Sequence, residues 1–214
     1  MDRVVPVFGG QEVVVSVFDV LGCQVDTTFF INQPPPVEVI LPEELEVQLG
    51  DSIRLRPDVF SSQPIESILW SPETALSSIG ILNPTIRPVE SNVYTLRVVD
   101  ANGCIGEDEI FIRVDRKRKV YIPNAFSPNS VLNSTFKIFT GAGVSKVNFI
   151  RIYDRWGELV YSAENLTTGL GGSGEWDGTF RGQPVQGGTY VYLVEVEFED
   201  NIKLLYRGDI TVIY

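Results

Sequence analysis

The segment Leu96–Ile112 reads LRVVDANGCIGEDEIFI, and its alternation and turn residues indicate the fold class. Leu96 and Val98 alternate along one face, as in a β-strand with one buried side. Residues 100–103, Asp-Ala-Asn-Gly, then supply turn-forming side chains, and a second strand is predicted over Asp108–Val114. The segment therefore predicts a β-hairpin.

The same pattern occurs 81 residues earlier, where Val15–Ile31 reads VSVFDVLGCQVDTTFFI. Six of 17 positions are identical, whereas chance gives about one, and a fixed period of this kind marks tandem modules. Because little sequence precedes the first copy, we expect residues 1–36 to be the C-terminal part of a truncated module. Cys23 and Cys104 occupy equivalent positions in successive modules, so we expect no disulfide between them.

Composition narrows the possible function classes. The chain of 214 residues has no histidine, which excludes Ser-His-Asp and Cys-His catalysis and histidine-ligated metals. Two cysteines cannot build a four-thiolate zinc site, and a net charge of −11 is unfavourable for nucleic-acid binding. We therefore expect a protein that is not an enzyme, uses no metal or cofactor and binds no nucleic acid.

Targeting signals are not recognised in the sequence. Residues 1–20 contain no run of about seven or more apolar residues, which a signal peptide requires. No stretch approaches the roughly 20 apolar residues of a membrane helix. Together with the truncated first module, this favours a C-terminal piece of a longer exported chain.

The chain divides into three segments, and its charge changes between the last two. Residues 1–115 carry a net charge of −12 and residues 116–214 a net charge of +1, which suggests two different roles. Residues 37–115 are predicted to form a complete immunoglobulin-like β-sandwich with Trp70 in its core. Its predicted strands are Val37–Leu41, Ser52–Pro57, Ile65–Trp70, Asn92–Val99 and Asp108–Val114.

The last segment, residues 116–214, is also predicted to be all-β. A long hairpin is expected over Thr189–Tyr214, and Gly169–Gly174 predicts a flexible loop rather than a phosphate cradle. In Lys146–Tyr153 we expect both faces to be buried, with Val147 and Phe149 on one face and Ile150 and Ile152 on the other. The residues expected to share one face of the strand Thr189–Phe198 are Tyr190, Tyr192, Val194, Val196 and Phe198. The whole chain is thus predicted as tandem immunoglobulin-like β-sandwich modules followed by a C-terminal β-sandwich domain.

Four motifs of the last segment occur together in a recognisable order. They are VYIPNAFSPN (Val120–Asn129), IYDRWGELVY (Ile152–Tyr161), WDG (Trp176–Gly178) and GTYVY (Gly188–Tyr192). In this order they resemble the gliding motility-associated C-terminal domain of Bacteroidota, the type B sorting domain of the type IX secretion system. The preceding module resembles the PKD-type or immunoglobulin-like repeats that often precede this domain in large gliding adhesins.

The resemblance implies a function, partners and a location. The domain would be the C-terminal secretion signal and surface anchor of a cell-surface gliding adhesin, exported across the outer membrane. Its partners would be the type IX translocon and outer-membrane β-barrel shuttle or anchor proteins, while a glycan or other surface ligand would bind upstream. Family members commonly continue the first motif with Gly-Asp-Gly, whereas residues 129–136 read NSVLNSTF. Because this loop lacks carboxylates, we expect no calcium site there.

Several residues of these motifs are candidates for partner contact, each with a structural alternative. Phe126 either forms part of a recognition edge or fills the core, and Trp156 either contacts a partner or covers the end of the sandwich at a hairpin turn. The basic run of residues 116–119 either meets an anionic surface or, as we favour, is a solvated hinge. The residues predicted to bind the translocon or its partners are Tyr121, Pro123, Asn124, Phe126, Pro128, Trp156, Tyr190, Tyr192, Arg207 and Tyr214.

Two other functions compete with sorting. A carbohydrate-binding β-sandwich would need Trp156, Trp176 and tyrosines together on one exposed face. A purely structural stalk repeat would make residues 117–214 dispensable for export.

Overall fold

The chain is built from β-strands throughout the part that the structure describes. The computed structural model describes residues 9–168 and 172–214, and every regular element within them is a strand. The predicted loop Gly169–Gly174 therefore lies partly outside the described residues. None of the described residues forms a helix long and apolar enough to cross a membrane. The predicted all-β, sandwich-type fold is confirmed.

The first element is a two-stranded antiparallel hairpin of β1 (Gln11–Phe18) and β2 (Gln24–Ile31). Its side chains are exposed on both faces apart from two partly covered positions, Val13 and Ile31. Cys23 follows the turn and is exposed, while its counterpart Cys104 is half-buried, and both are free thiols. The prediction that these cysteines do not pair is confirmed.

The middle module surrounds one hydrophobic core. A four-stranded sheet in the order β4-β10-β9-β7 has β4 parallel to β10 and the other pairs antiparallel, and the pairs β3–β6 and β5–β8 complete the module. Trp70 is 1% exposed within this core, as predicted, and its indole N–H donates to the carbonyl of Ile81. The strands are β3 (Glu38–Ile40), β4 (Glu44–Gln48), β5 (Ile53–Arg54), β6 (Asp58–Phe60), β7 (Ile65–Ser71), β8 (Thr85–Ile86), β9 (Asn92–Asp100) and β10 (Ile105–Asp115).

The C-terminal segment forms a second sandwich with its own core. A five-stranded sheet in the order β12-β20-β19-β14-β15 is accompanied by a three-stranded sheet, β11-β13-β16, and a short hairpin, β17-β18. The predicted shared face of β19 is confirmed, since four of its five residues are buried and Tyr192 is half-buried. The strands are β11 (Val120–Tyr121), β12 (Ala125–Phe126), β13 (Phe136–Thr140), β14 (Val144–Tyr153), β15 (Leu159–Leu166), β16 (Ser173–Trp176), β17 (Thr179–Phe180), β18 (Gln183–Pro184), β19 (Gly188–Phe198) and β20 (Lys203–Val212).

The faces predicted for β14 are wrong. Val147, Ile150 and Ile152 are all fully buried, although strict alternation would place Val147 opposite the other two. The register of β14 against β19 shifts between Val147 and Phe149, and a bulge of this kind moves the following residues to the other face. Phe149 lies half-buried with the Arg151 guanidinium 4.5 Å from its ring centroid.

The basic run between the two sandwiches is exposed at three of its four residues, as the sequence suggested, but its centre is held in place. The side chain of Arg118 is 18% exposed and makes a two-pronged contact with Asp200, at 3.2 and 2.7 Å. Its guanidinium also lies 4.6 Å from the Phe198 ring centroid. A run of like charges is ordinarily solvated, but here the Asp200 carboxylate, whose side chain is 6% exposed and which lies 82 residues away along the chain, fixes its centre.

Candidate partner-binding surface

A rigid turn presents the tryptophan of the IYDRWGELVY motif. The Asp154 carboxylate accepts hydrogen bonds from the backbone N–H groups of Trp156, at 2.9 Å, and Glu158, at 2.8 Å. Gly157 closes the turn with a φ of +86° and donates its N–H to the Asp154 carbonyl, a conformation that glycine adopts at no steric cost. The hairpin turn predicted at Trp156 is confirmed.

Trp156 itself is exposed, unlike the other two tryptophans of the chain. Its exposed fraction is 77%, whereas Trp70 and Trp176 are each 1% exposed. The Arg155 guanidinium lies 4.9 Å from the Trp156 ring centroid, so one side of the indole is occupied. Trp156 therefore does not cover the end of the sandwich. Large aromatic side chains held rigidly in solvent are the residue type most often found as anchors in interfaces.

A cleft of about 250 Å³ lies directly beside the indole. Its apolar lining comes from Val160, Phe180, Val185 and Tyr190, which reach it from four separate parts of the chain. Polar side chains line it as well, among them Arg155 and Glu158. Arg181 forms an ion pair with Glu158 at 3.2 Å and lies 4.6 Å from the Phe180 ring centroid. The cleft thus presents apolar and charged side chains together, a mixture that is typical of protein interfaces.

The last strand brings Tyr214 to the same end of the domain. The backbone N–H groups of Thr211 and Ile213 donate to the carbonyls of Asn124, at 2.9 Å, and Phe126, at 3.0 Å. The Tyr214 hydroxyl donates to the carbonyl of Val185, which lines the cleft, at 2.8 Å. Three of the predicted contact residues, Asn124, Trp156 and Tyr214, are thus exposed at or near one end of the sandwich.

Two predicted contact residues belong to the core instead. Phe126 is 1% exposed and Tyr190 is 7% exposed, so Phe126 cannot touch a partner of the folded domain, and Tyr190 offers only the small part of its surface that lines the cleft. Each ring lies with its centroid 5.4 Å from that of Trp176, and burial raises the pKa of Tyr190. The recognition reading of Phe126 is corrected to the core-filling alternative. β12 has only two residues and lies between prolines, so the sequence shows no alternation that would predict which of its side chains is buried.

The remaining predicted residues lie apart from the cleft or beneath the surface. Tyr121 is 64% exposed and packs against Phe139 on the three-stranded sheet. Tyr192 is half-buried with its ring centroid 5.9 Å from that of Phe136, and Arg207 is exposed on β20. Pro123 and Pro128 are both half-buried. The structure therefore does not unite all ten residues into one surface.

The carbohydrate platform considered from the sequence is not formed. Trp176 is buried and donates its indole N–H to the Thr179 carbonyl at 2.9 Å. The Asp177 carboxylate accepts the N–H of Thr179, as expected for a turn. Trp156 and Trp176 consequently do not share an exposed face.

Sequence reasoning did not identify one exposed apolar tip. Val131 and Leu132 are each 97% exposed, in the loop that follows the VYIPNAFSPN motif. The Ser130 hydroxyl accepts the N–H groups of Leu132 and Asn133, and the Asn133 amide donates to the Ala125 carbonyl. The only sign of this tip in the sequence is a pair of adjacent apolar residues between polar ones.

Comparison with known proteins gives one family match. Residues 120–212 match the family model of the CHU_C Type IX secretion signal domain. The match supports a type IX C-terminal sorting domain in this part of the chain, which implies interaction with the secretion machinery and export across the outer membrane. A search among curated proteins finds no match.

Several solved structures resemble the chain at low identity. Dimeric latent PorU from Porphyromonas gingivalis is 18% identical with a TM-score of 0.32, and the match covers 94% of this chain and 24% of PorU. The chain thus spans about a quarter of the PorU chain. The fibronectin(III)-like modules of Clostridium thermocellum CbhA are 16% identical with a TM-score of 0.29, covering 83% of this chain and 93% of theirs. The D00-D0 domain of intimin is 11% identical with a TM-score of 0.32, covering 83% of this chain and all of that one.

Proposed function

We propose that residues 117–214 are a folded sorting signal that takes the attached chain through the type IX system and holds it at the cell surface. The observation that carries the proposal is the exposed, rigidly held Trp156 beside a partly apolar cleft, within the region that matches the secretion signal domain. The signal acts by binding, and no catalytic step is assigned to the chain.

Trp156 and its cleft are the proposed anchor point for the secretion machinery. The hydrogen bonds to Asp154 fix the turn before any partner arrives, so little conformational entropy is lost on binding. A partner side chain entering the cleft would cover the indole and displace water from the apolar lining. Anchors of this type often contribute about 2 kcal/mol or more to binding.

The outer edge of β20 is the second proposed contact. β12 pairs with β20 only at Thr211 and Val212, and no other strand of the described residues pairs along that edge. Leu205 is 56% exposed there, near Arg207. A free edge can accept a strand from an outer-membrane partner through backbone hydrogen bonds.

The two N-terminal segments are proposed to serve as a spacer in a gliding adhesin. Residues 1–115 have a net charge of −12, which favours solubility and opposes association with other acidic surfaces. The ligand-binding part of such an adhesin would lie further upstream.

A surface-display assay tests the proposal. The full chain is fused behind a Sec signal and a fluorescent protein and expressed in a gliding bacterium with and without a working type IX system. We expect surface fluorescence only with the working system, and Trp156→Ala should reduce it at least about tenfold, as loss of an anchor predicts. The matched control is Phe60→Ala, which removes an aromatic side chain that is 57% exposed in the middle module.

The outcomes separate the two parts of the proposal. Equal surface fluorescence in both hosts would overturn the sorting function. Type IX-dependent display that Trp156→Ala leaves unchanged would overturn the assignment of the cleft. Leu205→Asp tests the β20 edge in the same assay without removing any buried side chain.

A further inference from the structure

The tip of the β4–β5 turn reaches from the middle module into the core of the C-terminal domain. Leu49 is 2% exposed and belongs to the same buried cluster as Val144 and Phe198 of the C-terminal domain, not to the core of its own module. Val114, at the end of β10, belongs to that cluster as well. Two side chains of the middle module therefore complete the core of its neighbour.

The backbones of the two units touch at a pair of glycines. A Cβ built on Gly50 would lie 1.9 Å from the Gly143 nitrogen, and one built on Gly143 would lie 2.6 Å from the Leu49 carbonyl oxygen. Both glycines have positive φ, +88° and +83°. An approach this close leaves no space for a side chain or for water, so the two turns fit directly against each other.

The connecting segment is attached to both units. Gln48 of the middle module donates to the Lys117 carbonyl at 3.1 Å and accepts from the Lys119 ammonium at 2.7 Å. On the other side Arg118 contacts Asp200, whose side chain is 6% exposed. Arg118, chiefly through its hydrogen bond, lowers the pKa of the Asp200 carboxyl. A further ion pair joins Arg87 of the middle module to Glu199.

From these contacts we infer that the middle module is a fixed cap on the C-terminal domain, held by Leu49 and by the Arg118–Asp200 pair. The joint fixes the backbone of residues 116–119 in one conformation, which slows proteolysis although three of their four side chains are exposed, and it makes the two sandwiches one cooperative unit. This inference goes beyond sorting by residues 117–214, because the functional form of the signal is then the middle module together with the C-terminal domain. That consequence rests on the proposed function.

Limited digestion by trypsin tests the joint, because residues 116–119 are four consecutive trypsin sites. In the intact chain we expect slow cleavage there, and Leu49→Asp should accelerate it about tenfold or more by opening the joint. The matched control is Leu69→Asp, the same change at a leucine that is 46% exposed in the same module. We expect it to leave the cleavage rate unchanged.

A second variant guards against general misfolding. Asp200→Asn preserves the shape of the side chain but removes its charge, and it should also accelerate cleavage at residues 116–119. Asp209→Asn, at an exposed position on β20, is its control. If trypsin cuts residues 116–119 at the same rate in the intact chain, Leu49→Asp and Asp200→Asn, the joint does not exist and the inference is wrong.

The display assay then distinguishes this inference from the proposed function. Leu49→Asp should lower type IX-dependent display while Leu69→Asp does not. Normal display of Leu49→Asp with an opened joint would overturn the role of the cap in the signal and leave sorting intact. Absence of type IX-dependent display in the unmodified chain would overturn sorting, while the trypsin result would still decide whether the joint exists.

Discussion

The β1–β2 and β9–β10 hairpins share a sequence pattern and a turn but differ in what surrounds them. In both, an aspartate accepts two turn N–H groups: Asp19 from Leu21 and Cys23, at 2.8 and 2.9 Å, and Asp100 from Asn102 and Cys104, at 2.9 and 3.0 Å. The strand registers also correspond, with Val17 opposite Val25 and Val98 opposite Gly106.

Burial is what separates the two hairpins. Val17 is 63% exposed, whereas Val98, at the equivalent position, is fully buried. The turn is therefore specified by four or five local residues, while the burial of the strands depends on the sheets packed against them. The turn at Asp154 follows the same hydrogen-bonding pattern. The same aspartate-closed turn therefore occurs at three places, with different side chains at its tip.

The largest expected difference between the hairpins is in their apolar side chains. Leu96→Ala should lower the free energy of unfolding of the middle module by about 2–5 kcal/mol, because Leu96 is fully buried. Val15→Ala, at the equivalent and 42% exposed position, should change the free energy of unfolding of the chain by less than about 0.5 kcal/mol. Urea denaturation of the full chain measures both. Similar losses in the two variants would contradict the contrast in burial.

The aspartates of the turns should differ by less. Asp100 is fully buried and also accepts the Ser61 hydroxyl at 3.2 Å, so Asp100→Ala should cost about 1–3 kcal/mol of the free energy of unfolding. Asp19 is exposed, and Asp19→Ala should affect only the local turn. Amide hydrogen exchange of Cys23 and Cys104 reports each turn separately. Equal loss of global stability in both variants would show that the surroundings do not matter.

The third turn tests whether the hydrogen bonds to Asp154 orient the side chain of Trp156. Asp154→Ala removes the acceptor of two N–H groups and should cost about 1 kcal/mol. Its more specific effect should be increased fast motion of the Trp156 indole, measured by NMR relaxation at its N–H. Asp177→Ala, in the turn beside Trp176, serves as the control and should leave the Trp156 signal unchanged.

The smallest effect concerns pH. Backbone hydrogen bonds from Cys23 and Leu21 lower the pKa of Asp19 below 3.8. A lowered pKa in the folded chain means that the turn is fully stabilised above about pH 4 and loses this stabilisation as the pH falls through the folded value. NMR titration of the Asp19 carboxyl measures the pKa. In Asp19→Asn, the amide signals of the turn should no longer change over this range.

The sequence predicted elements where alternation is uninterrupted. β19 is predicted to within one residue at its start, and four of the five residues on its predicted face are buried, because its apolar residues alternate without a bulge. In β14 the bulge that reverses the faces depends on pairing with β19, so the residues of β14 alone do not predict it. Strands of two or three residues, such as β5 and β8, are too short to show a period.

The candidate site was predicted only in part for a related reason. The motif around Trp156 revealed the turn because its interactions are local. The burial of Phe126 and the pairing of Arg118 with Asp200 depend on residues far away in the sequence. Phe180 and Val185 were not selected at all, because only the folded domain places them beside Trp156.

The cleft beside Trp156 has walls that come from widely spaced parts of the chain, between Val160 and Tyr190. None of these walls exists until β14, β15, β19 and the β17–β18 hairpin have come together. A receptor that binds the cleft therefore distinguishes a finished domain from an unfolded one without any separate inspection step. The surface that directs export is then also the surface that forms only when the domain has folded.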